Sequence, residues 1–387
     1  MYHIKTLNSI SPKGLVRLSE KQFAIDESDA PEGILVRSAS LHDMPLPQSL
    51  LAVARAGAGV NNIPIDACSE RGIVVFNTPG ANANAVKELV LGGLILASRD
   101  VVSAAKWAET LKGKGADVPK LVEKGKSQFA GPELLGKKLG VVGLGAIGVK
   151  VANMATHLGM EVYGYDPYLS IDAAWNLSRN VHHCVQLTEL LAQCDYVTVH
   201  VPATSETKGF LNAETLAQMP HGVRILNFAR AELVDSAAMT AALASGQVAA
   251  YVVDFPTDDM LCVKGCLCIP HLGASTPESE DNCAVMAAKE LSDYLLCGTI
   301  ACSVNYPAVS MPRSGKTRIC VAHKNVPGIL AGITDIAGKA QVNIENMMNK
   351  SKKDYAYTLL DTSDSVPQSV AAQLQALPNV LRVRIID

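Results

Sequence analysis

Between Leu139 and Leu158 the chain reads as an apolar strand, Leu139-Gly140-Val141-Val142, then Gly143-Leu144-Gly145-Ala146-Ile147-Gly148, then an apolar helical stretch. The G-x-G-x-x-G hexapeptide alone is a weak signal, but between a strand and a helix it dictates a geometry. Gly143 permits a tight turn, Gly145 lets the backbone approach a pyrophosphate, and Gly148 lets the helix pack on the sheet. The helix start at Ala146 and Ile147 then offers unpaired N–H groups and a partial positive charge to the diphosphate. Asp166 ends the next strand, Glu161 to Tyr165, 23 residues after Gly143. A carboxylate there can accept hydrogen bonds from both ribose hydroxyls and would repel a 2′-phosphate, which predicts NAD rather than NADP. The bland alternative is that Asp166 only opens the turn at Pro167-Tyr168.

Strands and helices alternate on both sides of this motif. Gly33 to Ser38, Leu51 to Ala56 and Ile73 to Asn77 read as buried strands, followed by a helix from about Asn84 to Arg99. After a polar stretch near Lys112 to Lys126 the pattern restarts, with further strands at Tyr196 to Val201, Val223 to Asn227 and Ala249 to Asp254. This alternation predicts an α/β chain with two doubly wound parallel sheets. Near Asn305 the texture turns Pro-, Gly- and charge-rich, a linker signature. Beyond it, Thr317 to Asp387 holds about two strand–helix–strand repeats, enough for a small α+β domain.

Composition limits the partners. With 34 Lys and Arg against 37 Asp and Glu, the net charge of −3 gives no electrostatic case for nucleic acid or an anionic membrane. Leu89 to Ala97 is too short to span a bilayer and reads as a buried helix. Met1 to Ile10 has no signal-peptide core, so the ten cysteines read as reduced thiols of a cytosolic protein. Cys262, Cys266 and Cys268 match no common zinc spacing, and no metal is expected there or at His182-His183-Cys184.

Polar residues collect where strands end. Arg230 follows the run Ile225 to Ala229, where a charge needs an anionic partner. Asp254 ends the next strand, with Asp258 and Asp259 just beyond. His271 lies in the loop Pro270 to Ser275. Loops at strand ends beside a nucleotide site are where active residues of open α/β sheets gather. An Arg, an acid and a His suit hydride transfer from a 2-hydroxy acid. The Arg binds the carboxylate, the His takes the hydroxyl proton, and the acid orients the His.

Four stretches, Glu133 to Gly148, His200 to Asn212, Leu226 to Asp235 and Pro270 to Thr276, resemble the D-isomer-specific 2-hydroxyacid dehydrogenases. The resemblance covers residues 33–305 almost continuously. It implies a Rossmann nucleotide domain (residues 91–277) inserted into a flavodoxin-like substrate domain (1–90 and 278–306). It places the catalytic arginine at Arg230 and the catalytic histidine at His271. It also places Val201, Pro202, Phe228, Ala229, Asp254, Gly273 and Ala274 at the cofactor, and Ala56, Gly57, Ala58 and Gly59 at the substrate carboxylate. Two departures stand out. Ala231 replaces the glycine usual after the arginine, and no Glu occupies the acid position. Counting from Asp254 puts Asp259 there, whereas aligning on Phe255 puts Asp258 there.

Within the family the chain is most similar to members acting on 3-phosphoglycerate or its oxidised form, phosphohydroxypyruvate. Arg37 and Arg55 would then hold the phosphate, unless they are surface salt bridges. His323 to Leu330 and Val342 to Ile344 resemble an ACT domain (residues 317–387), an amino-acid-sensing module. By that resemblance His323, Asn325 and Asn343 would bind L-serine, the alternative being turn and cap residues of a domain that only dimerises. The resemblance implies a homo-oligomer, dimer or tetramer. Two competing readings are a glyoxylate, hydroxypyruvate or 2-oxoglutarate reductase on the same scaffold, and an NAD-sensing co-repressor.

Overall fold

Strands β1 (Tyr2–Leu7), β2 (Phe23–Ile25), β3 (Gly33–Val36), β4 (Ala52–Arg55) and β5 (Val74–Phe76) form one parallel sheet in the order β2-β1-β3-β4-β5. Strands β3 and β4 read as unbroken apolar runs because helices cover both faces of a parallel sheet. Ile34, Leu35, Val36, Ala52, Val53 and Ala54 are all fully buried. A second sheet holds β6 (Lys138–Val142), β7 (Glu161–Tyr165), β8 (Val181–His183), β9 (Tyr196–Val199), β10 (Val223–Asn227), β11 (Val248–Val253) and β12 (Cys266–Cys268). Its order, β12-β11-β10-β9-β6-β7-β8, reverses direction between β6 and β9. That reversal leaves a crevice at the carboxyl ends of the strands, where ligands of open α/β sheets bind.

The structure, a computed structural model, describes residues 1–387. It divides into Met1–Asn82 with Pro277–Asp387, and Ala83–Thr276. No helix is long and apolar enough to cross a membrane.

The tail folds as β13 (Thr317–Lys324), a helix Ile329–Lys339, β14 (Ile344–Lys352), β15 (Tyr355–Thr362), a helix Gln368–Gln375 and β16 (Val380–Ile386). This βαββαβ order gives an antiparallel sheet β14-β15-β13-β16, a split-βαβ arrangement. The tail is not set apart by a linker. One face of its sheet packs Ile319, Val321 and Leu360 on Ile333, Ile336, Val370 and Leu374 of its own helices. The other face puts Cys320, Ala322, Tyr357 and Leu359 into the same core as Tyr294 and Leu295 of the long helix Pro277–Cys297. Two tail arginines occupy the carbonyls at the end of that helix. Arg384 donates to the Tyr294 and Leu295 oxygens at 3.1 and 2.7 Å, and Arg318 to Cys297 O at 2.9 Å. Tyr294 O also accepts from Gly298 N, whereas carbonyls in the last turn otherwise lack a helical partner, and the cations complement the helix dipole.

The expected linker is likewise an anchor at its start. Asn305 is buried and bonds Val75 N, Ile73 O and the Ser69 hydroxyl, while the Tyr306 hydroxyl donates to Ser69 O. The Pro- and Gly-rich texture there reflects tight turns, not slack chain.

Candidate active site

The glycine loop joins β6 to the helix Ala146–His157, with Gly145 at the N-cap. Gly143 has φ +92°, and a Cβ there would come within 2.8 Å of His200 O. At Gly148 a Cβ would lie 1.9 Å from Gly143 O, so the helix can approach the turn only without one. Gly145 differs, because a Cβ there would meet no atom within 4 Å. Packing does not explain this glycine; the open space above it suits a pyrophosphate lying against bare backbone.

Polar residues at or just beyond three strand ends hold the loops of this sheet. After β7, the Asp166 carboxylate accepts from Leu144 N and from Tyr168 N, both at 2.8 Å. It thus steadies the glycine loop as well as the Pro167-Tyr168 turn. At the end of β10, Asn227 is fully buried. Its oxygen accepts from the Ala229 and Arg230 amides, and its Nδ2 donates to Arg230 O at 2.8 Å and to the Tyr251 hydroxyl. After β11, the buried Asp254 carboxylate accepts from Leu272 N at 2.7 Å and Gly273 N at 2.8 Å. Burial raises its pKa, and those two amides oppose the rise.

Asn227 therefore holds Arg230 itself, while Asp254 holds the two residues that follow His271. Arg230 is exposed, three residues past β10, with its Nη1 donating to Ala229 O at 2.7 Å. The argument that it is a charge at a buried strand end does not hold, because Asn227 occupies that position. His271 is exposed at φ +52°, a left-handed conformation uncommon outside glycine, and its amide donates to Ile269 O at 3.0 Å. Its ring packs against Phe255 with centroids 4.4 Å apart. Neither aspartate offered for the acid role bonds the imidazole. Asp258 and Asp259 lie in a one-turn 3-10 segment, and the Asp259 carboxylate is held below its ordinary range by the Thr257 and Ser236 hydroxyls beside it.

Around these groups, Val201 and Pro202 continue β9, and Phe228 (buried) and Ala229 lie within the turn that Asn227 organises. A Cβ on Gly273 would strike the Asp254 carboxylate at 2.8 Å, and Ala274 follows it. Sequence reasoning overlooked Asn227, Phe255 and His200. His200 is neutral, since burial pushes its imidazole down to about 3, and its Nε2 lies 2.9 Å from the Thr198 hydroxyl. The available signal was a polar residue closing an apolar strand, as in Leu226-Asn227 and Val199-His200.

In the other unit, Ala56, Gly57, Ala58 and Gly59 form the turn after β4, which accepts from Thr78 N at Gly57 O and from Asn77 Nδ2 at Ala58 O. The Arg55 guanidinium folds over this turn, with Nη1 2.6 Å from where a Gly57 Cβ would be, while its Nε donates to Arg37 O. Arg37 itself pairs with Glu280 at the start of the long helix. In the tail, His323 is buried, with Nε2 2.9 Å from the Thr358 hydroxyl, and burial lowers its pKa. Asn325 donates to Lys353 O and Asn343 to the Ser363 hydroxyl. The pairings His323–Ala356–Ser351 and Ile344–Thr362 put Asn343 at the opposite end of the sheet from His323. One chain alone does not bring those three residues together. Cys266 and Cys268 lie side by side on edge strand β12, their sulfurs 3.7 Å apart.

Comparison with known proteins agrees with this geometry. Residues 92–273 match the family model of the D-isomer specific 2-hydroxyacid dehydrogenase, NAD binding domain. The chain is 31% identical to the D-3-phosphoglycerate dehydrogenase of Escherichia coli K12, over 99% of this chain and 95% of that protein. It is 33% identical to that of Bacillus subtilis, over 82% of this chain and 62% of the relative. Among solved structures, NAD+-bound 3-phosphoglycerate dehydrogenase of Entamoeba histolytica superposes with a TM-score of 0.59 at 26% identity, covering 79% of this chain and 98% of that one. The chain belongs to the D-isomer-specific 2-hydroxyacid dehydrogenase family. It is an NAD-dependent oxidoreductase built on Rossmann-like parallel sheets.

Proposed function

We propose that the chain interconverts 3-phospho-D-glycerate and 3-phosphohydroxypyruvate, the first step toward serine. The observation that carries this is the Arg55 guanidinium lying on the Ala56–Gly59 turn, its Nε donating to the Arg37 carbonyl oxygen. A carboxylate can take the Ala58 and Gly59 N–H groups of the turn while a phosphate at the far end of a three-carbon acid takes the Arg55 guanidinium, whose planar donors match its oxygens; Arg37 would have to leave Glu280 to join it. The curated relatives quoted above, matched across most of this chain, support the same substrate.

Arg230 binds the reacting carboxyl and carbonyl oxygens, and Asn227 fixes the turn it stands on. His271 takes the hydroxyl proton during oxidation and returns it during reduction. When bound, NAD supplies the acceptor for the hydride released from the same carbon. Removing His271 accordingly lowers turnover by about 100- to 10,000-fold, the usual range for a general acid–base group.

L-serine is the proposed effector. The βαββαβ tail supports an ACT-like reading, and the separation of His323 and Asn325 from Asn343 points to a site completed by a second copy. The unpaired outer edge of β14 offers a place for that copy to join.

The test compares NAD(H)-linked turnover of phosphohydroxypyruvate with glyoxylate, hydroxypyruvate and 2-oxoglutarate in wild type and Arg55→Ala. The expected result is preference for the phosphorylated acid, with KM for it raised at least tenfold by Arg55→Ala and the unphosphorylated substrates much less affected. Equal losses on all substrates would make Arg55 structural and return the assignment to another 2-hydroxyacid dehydrogenase.

A further inference from the structure

A histidine that gains and loses a proton needs something to set its plane and to favour its charged form. Elsewhere in the family that is a carboxylate. Here neither Asp258 nor Asp259 hydrogen-bonds the His271 ring, and the Asp254 carboxylate, near enough to feel the charge of the imidazole, gives its hydrogen bonds to the Leu272 and Gly273 amides. What touches the imidazole is the ring of Phe255, the residue directly after Asp254, at 4.4 Å between centroids and 43° between planes. The same ring carries Arg230, whose Cζ lies 5.4 Å from its centroid. One half-buried aromatic side chain thus contacts both groups assigned to the substrate.

Resting on the reading above, we propose that Phe255 is the positioning residue of this site, orienting His271 and stabilising its imidazolium where the family uses an acid. The electron-rich face of an aromatic ring attracts cations. Shared by Arg230 and His271, it offsets the repulsion these two positive groups exert on each other when the histidine is protonated. Asp254 and Phe255 thus act in succession, the first holding the Leu272 and Gly273 amides that follow the histidine and the second touching its ring.

The experiment uses the full chain with NADH and phosphohydroxypyruvate, and compares wild type, Phe255→Leu and Phe255→Tyr across pH. Leucine keeps apolar bulk without a ring face. Phe255→Leu is expected to lower kcat about tenfold, to leave the Kd for NADH within about twofold, and to move the alkaline limb of the reduction rate to lower pH; an aromatic–cation contact of the upper range supports a change of this size. Phe255→Tyr is expected to restore both rate and limb. A Phe255→Leu profile that superimposes on wild type overturns the proposal, as does an alkaline limb moved by Asp258→Asn or Asp259→Asn but not by Phe255→Leu. Failure of the underlying function shows separately, as near-normal turnover in His271→Ala. In that case proton NMR of the His271 ring still decides, since the Cε1–H resonance must be displaced by the Phe255 ring current in wild type and Phe255→Tyr and released in Phe255→Leu. An unmoved resonance overturns the proposal whatever the enzyme's activity.

Discussion

A single buried side chain shows how position alters chemistry in this chain. Glu290, on the long helix Pro277–Cys297, is 5% exposed, with the Cys302 thiol beside its carboxylate. Burial pushes its pKa from 4.5 up to about 7, with the neighbouring Cys302 thiol and Lys289 opposing only in part. The folded state therefore holds the Glu290 proton more tightly than the unfolded chain does. Its stabilising contribution is complete below pH 4.5 and is lost as pH rises toward 7. At about 1.4 kcal/mol for each tenfold change in proton affinity, this amounts to roughly 3–4 kcal/mol across that window. Glu290→Gln, neutral at every pH, is expected to match wild type near pH 4.5 and to exceed it by up to that amount at pH 8. Urea unfolding at both pH values measures this, and a variant no more stable than wild type at pH 8 contradicts it.

Among the elements, the glycine loop separates what folding needs from what binding needs. Gly148→Ala places a Cβ 1.9 Å from a backbone oxygen, so it must displace the helix Ala146–His157 and lower the melting temperature. Gly145→Ala meets nothing in the protein and is expected to fold with an unchanged melting temperature while weakening NAD binding at least tenfold. Paired melting and NAD titration would reveal an error if both variants lost stability equally. This loop was legible in the sequence because strand, turn and helix agree with one another there, and β7 and β10 fell on the residues the apolar pattern marked. Strand β1 was not legible. It sits inside its sheet, yet Tyr-His-Ile-Lys-Thr-Leu is mixed in character and only Ile4 is buried. β12, three residues of Cys-Leu-Cys, is too short for any period to show. At the site, Arg230, His271 and Asp166 could be named because charged residues after apolar runs stand out. Asn227 and Phe255 could not, since one reads as a turn former and the other as core until the distances are known. The sequence leaves the acid partner open between Asp258 and Asp259, because counting from Asp254 and aligning on Phe255 disagree by one residue.

Across the molecule, the tail's attachment bears on how an effector could act. The sequence suggests a small module beyond a linker near Asn305. Instead the tail sheet and the long helix share one apolar core, and Arg318 and Arg384 bind the last carbonyls of that helix. Arg318 is itself held by Asp361 in a two-bond ion pair at 2.6 and 2.7 Å, with both side chains almost fully buried. Removing either partner of such a pair leaves an uncompensated charge, typically a loss of 3–5 kcal/mol. A free-swinging hinge at the linker would have to break these contacts each time it opened. The helix so gripped begins at Pro277, directly after the loop that carries His271 and the Asp254 clamp. An effector bound at the tail, as proposed for L-serine, would therefore act on a sheet that shares its core with that helix. Hydrogen exchange is expected to show the slowest amides of β13 and of Pro277–Cys297 opening together, with one free energy, as members of one cooperative unit. Saturating L-serine should then slow both by the same factor, by mass action on that shared unit. Tail amides that exchange much faster than the helix, or that alone respond to serine, would restore the independent module and with it the hinge.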